Sequence, residues 1–227
     1  VIAAAATAAT DTSFGSHAFW LASRASGIVA IAMLSFTVMV GLTQGGRLPL
    51  GFKARDLTRI HEFCSLAAIV AIVAHGGLLI FDPWLAPTLT QVLVPFKLDY
   101  RTFYTGLGIT AGWIAVLLGL SYYVRDQIGV KRWKTMHRFT IVAYALSVVH
   151  VLGAGTDSAE AWLKAPLLAS AGVVTVLFLM RISSGRNSGG SRVATSSRVP
   201  AERLPQQSSS RRPTSHAPRT QEHAARR

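Results

Sequence analysis

Cysteine is almost missing: Cys64 is the single one in 227 residues. That excludes a disulfide scaffold, a zinc site built from several cysteines, and an iron–sulfur cluster on four thiolates. No Cys-x-x-Cys-His occurs either, so covalent haem attachment is excluded. Charge is scarce, with 15% charged residues against about 25% in a soluble domain. The mean hydropathy of +0.37 agrees. No Gly-rich strand–turn–helix fingerprint for a dinucleotide is present, so no flavin or NAD(P)H site is expected in these residues.

What charge there is lies unevenly. Residues 181–227 hold ten Arg and two Glu, a balance of +8, whereas residues 1–180 hold thirteen basic and eight acidic residues, a balance of +5. A sequence pI near 11.1 points to nucleic acid in a soluble domain. Here the body is too apolar, and the basicity reads as membrane topology plus a tail. Residues 183–227 are Arg-, Ser- and Pro-rich with little large apolar surface to bury, so they are expected to be a disordered cytoplasmic tail. The tail is either a solvated extension or a polybasic segment for anionic lipid.

Five uncharged stretches stand out: Ala25–Gly46, Phe63–Phe81, Phe103–Val124, Phe139–Thr156 and Ala165–Met180. A helix of about 20 residues spans a ~30 Å hydrocarbon core. The predicted fold is an all-α, polytopic membrane bundle of five transmembrane helices. Its domain lies at 18–182, after a short external segment at 1–17. The opening VIAAAATAAT is too short for a further span and has no basic region before it to make a whole signal peptide.

The loops orient the bundle. Arg47, Lys53, Arg55 and Arg59 lie between the first two spans, and Arg125, Lys131, Arg132, Lys134 and Arg138 between the third and fourth. The positive-inside rule then places the N-terminus outside and the tail in the cytoplasm. Trp20, Trp84, Trp133 and Trp162 stand near span ends, as interfacial anchors do.

Four of the seven histidines fall in or beside the spans: His61 and His75 on the second, His137 and His150 on the fourth. An ionisable side chain at membrane depth is costly and usually functional. Spacings of 14 and 13 residues are about 21 and 20 Å along a helix. The second and fourth spans run in the same direction, so His61 and His137 share one level and His75 and His150 another. Two opposed imidazoles at each of two depths suit two six-coordinate b-type haems in a helix bundle. A spacing of 14 keeps both rings within ~40° of one face, but 13 rotates them ~140° apart. The fourth span therefore needs a local distortion, a tilt, or a regular start beyond His137.

This pattern resembles the ferric reductase-like transmembrane domain family, which includes ferric-chelate reductases, the membrane core of NADPH oxidases and the haem subunit of the periplasmic methionine-sulfoxide reductase. Trp20, Arg24, Ser26 and Gly27 leading into the first span, Ser65 after His61, Trp133 and Arg138 around His137, and Gly153–Asp157 are similar too. The resemblance implies a di-haem cytochrome b subunit that moves single electrons outward across the bacterial cytoplasmic membrane. It implies an inner haem on His61 and His137, an outer haem on His75 and His150, and Arg24 beside the outer haem, where it could pair with a propionate. Arg59, Arg132, Lys134 and Arg138 could meet inner propionates, though topology already accounts for them. The electron donor is expected to be a cytoplasmic flavoprotein or membrane quinol, and the acceptor a ferric chelate, dioxygen or a periplasmic redox protein.

The alternative is a transporter or a proton or metal channel using the four histidines. A proton relay wants carboxylates at depth, and Glu62 and Asp157 lie only at span edges. Gly106, Gly108, Gly112 and Gly119 on the third span serve close helix packing or clearance for a cofactor face. Cys64 reads as a small buried residue. The loop Asp82–Thr102 is long enough to cover the outer site.

Overall fold

The computed structural model describes the backbone of residues 2–46 and 53–195, and side chains over 17–44 and 53–183. Of the expected disordered tail, 183–227, only Ser183 has a described side chain; its backbone is helical as far as Thr195, and residues 196–227 fall outside the described residues, as does Arg47. The elements are α1 (Ile2–Gly46), α2 (Ala54–Leu79), α3 (Leu89–Leu93), α4 (Thr102–Leu120), α5 (Arg125–Ile128), α6 (Val130–His137), α7 (Thr140–Ala154) and α8 (Ala161–Thr195), with a 3₁₀ turn at Ser121–Val124.

Among the described residues five helical stretches are long and apolar enough to cross a bilayer: His17–Gln44, Ala54–Leu79, Thr102–Ile128, Val130–Ala154 and Ala161–Ser183. Helix is the form these runs must take in lipid, since hydrocarbon offers no partner for a free backbone N–H or C=O. The chain is an integral, multi-pass membrane helix bundle.

The surface is as apolar as the interior, unlike that of a water-soluble protein. Phe63 and Val70 on α2 are 72% and 68% exposed, while Ser23 is 1% exposed and Ala143 fully buried. Small residues line the helix contacts, as at Ala68, Ala71, Ala111 and Ala115. Large apolar side chains face outward to lipid, which is as apolar as they are, so close backbone approach drives the packing instead.

α1 packs along α2, and α4 along α7; α2 also touches α4, and α1 touches α7, closing a four-helix ring. α8 lies against the α1–α7 side of it. Ile31, Leu34, Val38 and Leu42 form one stripe of α1 at helical spacing and meet Tyr144, Leu167 and Val174. The Tyr144 hydroxyl and Ser170 Oγ, 2.9 Å apart, tie α7 to α8.

The fourth span carries the distortion that the 13-residue histidine spacing demanded. α6 ends at His137 and α7 begins at Thr140. Between them the Arg138 and Phe139 N–H groups donate to Thr135 and Met136 carbonyls three residues back, at 3.3 and 3.0 Å. This tightened turn changes the angular register, so His137 and His150 face the same interior.

Two histidine pairs inside the bundle

α2 runs antiparallel to α1, and α7 antiparallel to α4, so each histidine lies against the backbone of a neighbouring helix. His75 Nδ1 meets the Ser23 carbonyl at 2.8 Å, His61 Nδ1 the Thr37 carbonyl at 3.0 Å, and His150 Nδ1 the Tyr104 carbonyl at 2.9 Å. A carbonyl only accepts, so in each neutral ring Nδ1 carries the proton and Nε2 keeps a bare lone pair. The Ser23 hydroxyl also donates to the His75 carbonyl at 2.8 Å.

A glycine follows each accepting carbonyl four residues on, on the same helix face. A methyl group at Gly27 would come within 2.9 Å of His75 Nδ1, one at Gly41 within 3.1 Å of His61 Cε1, and one at Gly108 within 2.5 Å of His150 Nδ1. The carbonyl holds the ring and the glycine makes room for it. On α1 this unit occurs twice, at Ser23/Gly27 and Thr37/Gly41, with the 14-residue offset that separates His61 from His75. The repeat is visible in the sequence and was not part of the expected site; its signal is the match between the two offsets.

The fourth station is built differently. His137 Nδ1 is buried without a hydrogen bond, and the backbone it faces is that of Leu118. Four residues beyond Leu118 stands Tyr122, in the 3₁₀ turn, where the other stations have glycine. His137 instead stacks on Trp133, with ring centroids 4.9 Å apart and planes at 26°. Trp133 is in turn held by Nε1–H donation to Ser121 Oγ at 3.0 Å.

Across the ring the histidines meet in twos. His61 and His137 have ring centroids 6.1 Å apart at 74°, and His75 and His150 are 6.4 Å apart at 67°. A cavity of about 760 Å³ reaches the His61–His137 level, bordered among others by Gly41, Ser65, Trp133, Arg138 and Arg181. Lys134 also borders it, whereas Arg59 and Arg132 are exposed at the same end. The Thr37 hydroxyl there is buried without a hydrogen-bond partner.

Arg24 stands near the other pair, but its partner is a protein carboxylate. Its Nε donates to Asp157 Oδ2 at 2.6 Å, and its terminal nitrogen pairs with Asp157 Oδ1. The guanidinium also lies over the Trp20 ring, 5.0 Å from its centroid. Of the glycines of α4, Gly112 and Gly119 serve close helix packing against Ile72 and Ile69 of α2, Gly106 receives Phe96, and Gly108 makes room for the His150 ring, not for a cofactor. Cys64 is buried, as expected.

The cofactor expectation requires correction. Among the described residues no group of three or more His, Cys, Asp or Glu side chains is placed to hold a metal ion. The histidines gather only two by two. The described structure supports neither bound haem nor metal binding at His61, His75, His137 and His150. The assignment of two b-type haems is withdrawn, and the di-haem cytochrome b function with it. The same finding counts against the metal-channel alternative.

The fold and its family agree. The chain belongs to the ferric reductase like transmembrane component family, whose model matches residues 26–148. That region includes His61, His75 and His137 and stops two residues before His150. It does not single out the NADPH oxidase or methionine-sulfoxide reductase branches. No curated protein and no solved structure matches the chain.

Proposed function

We propose that this chain is the membrane electron-transfer subunit of a ferric reductase-like oxidoreductase, with His61, His75, His137 and His150 as its functional residues and Arg24 as a positioning residue. One observation carries this reading: two facing histidine pairs, at two levels of one helix ring, in a chain that belongs to this family. Histidines at membrane depth are costly and mark a functional site, and two stacked levels extend that site through the bilayer. The donor in this reading is a partner flavoprotein or a membrane quinol. The Arg- and Lys-rich loops support a cytoplasmic side at the His61–His137 end and an external N-terminus, by the positive-inside rule.

The test is electron flow across vesicles. The full chain is reconstituted with ferricyanide trapped inside and a reduced quinol added outside. Chain-dependent bleaching that is lost in both His75→Ala and His150→Ala supports the proposal. Bleaching no faster than in protein-free vesicles, or unchanged in all four His→Ala variants, overturns it.

A further inference from the structure

The connection from α2 to α4 is not a plain surface loop. Residues 83–96 contain no charge, and they carry a row of exposed apolar side chains: Trp84 at 77%, Leu89 at 60%, and Leu93, Val94 and Phe96 at 40–49%. α3 sits in the middle, closed by a capping box in which the Thr88 N–H donates to Gln91 Oε1 at 2.9 Å and the Gln91 N–H to Thr88 Oγ1 at 3.3 Å.

The segment folds back along the spans. Trp113, eleven residues into α4, donates its Nε1–H to the Leu93 carbonyl at 2.8 Å. Eleven residues are about 16 Å of helix, and a helical side chain leans back toward the N-terminus by part of that. The Leu93 carbonyl is thus well inside the α4 span. Val92 lies beside Gly76 on α2, where an added methyl group would meet it at 3.3 Å, and Phe96 lies against Gly106 on α4.

Many of its backbone N–H groups are met internally. The Asp82 carboxylate, 2% exposed, accepts from the Trp84 and Leu85 N–H groups at 3.4 and 3.2 Å. The Ala86 N–H donates to the Asp82 carbonyl at 2.9 Å, and the Val94 N–H to the Thr90 carbonyl at 2.9 Å. Water would serve these groups on an aqueous surface; hydrocarbon cannot, so internal pairing is the condition for immersion.

We propose that residues 83–96 form a re-entrant segment embedded in the lipid leaflet, with the Leu89–Leu93–Val94 side in contact with acyl chains. Lipid is the occupant of this face because the face continues the exposed apolar surface of the spans, exemplified by Phe81 and Phe103 at 63% and 61%. The segment packs on Gly76, next to His75, and so covers that level from the bilayer side.

Spin labels in vesicles test this. In a Cys64→Ala background of the full chain, Leu89→Cys and Leu93→Cys are labelled separately. Val70→Cys serves as the lipid reference and Asp99→Cys as the aqueous one; circular dichroism checks the helix content of each. Collision with dissolved oxygen should exceed collision with a water-soluble nickel chelate at both test positions, as at Val70 and opposite to Asp99. Nickel collision at the Asp99 level at either position overturns the proposal, because the segment then lies in water. The outcome is independent of electron transfer.

Discussion

The Arg24 guanidinium grips the Asp157 carboxylate through two of its nitrogens, tying the first span to the turn between α7 and α8. The Asp157 side chain is largely buried and that of Arg24 one-third exposed, so it is Asp157 that is left with poorly hydrated charge when its partner is removed. Arg24→Ala and Asp157→Ala should each destabilise the protein by about 1.5–3 kcal/mol, the range for hydrogen bonds to charged groups. The double variant should lose clearly less than the sum of the two. Thermal unfolding in detergent reads this; additive losses would show that the pair does not couple the helices.

The glycines beside the histidines should differ from those in open space. Gly→Ala in a helix gains about 0.5–1 kcal/mol from the backbone, whereas overpacking costs about 1–3 kcal/mol. The approach to His150 at Gly108 is the tightest of the three, so Gly108→Ala should be clearly destabilising. Gly41→Ala, at 3.1 Å from a ring edge that can shift slightly, should fall near neutral. Gly77→Ala and Gly172→Ala meet nothing within 4 Å and should be neutral or stabilising. Midpoints of thermal unfolding rank the four, and a Gly108→Ala variant as stable as Gly77→Ala would refute the close fit.

The histidine tautomers follow from their acceptors. His61, His75 and His150 should show the neutral Nδ1–H form in ¹⁵N spectra of histidine-labelled protein, because each Nδ1 faces a backbone carbonyl. His137 has no such bond and should be the ring whose signal moves when Trp133→Leu removes the stacked indole. A shift of equal size at His75 would mean that Trp133 acts on the whole bundle.

α8 is held by packing more than by its polar contact. Tyr144→Phe removes the hydrogen bond to Ser170, whose own hydroxyl still donates to the Leu167 carbonyl at 2.8 Å. The expected loss is about 0.5–1.5 kcal/mol. Leu167→Ala, at a side chain 5% exposed within the α1–α7–α8 cluster, should cost more, about 2–5 kcal/mol. Denaturant or thermal unfolding compares them, and the reverse order would assign the anchor to the hydroxyl pair.

Sequence by itself determined the spans and the levels. Uncharged runs of bilayer length can only be helices in lipid, and a fixed rise per residue turns the 14- and 13-residue spacings into two shared depths. It also exposed the awkward rotation at His137, since 13 residues do not return to one face. Tertiary structure decided the rest. Which helices neighbour one another, and hence that Ser23, Thr37 and Tyr104 offer carbonyls to His75, His61 and His150, depends on interhelical packing that no local pattern encodes. So does the pairing of Arg24 with Asp157, which lie 133 residues apart. The absence of a three-residue metal cluster among the described residues is likewise a fact of convergence in space, where residue types along the chain are silent. The folding back of residues 83–96 was hidden for the same reason: its key contact joins Leu93 to Trp113, and a length of loop records neither its depth nor its direction.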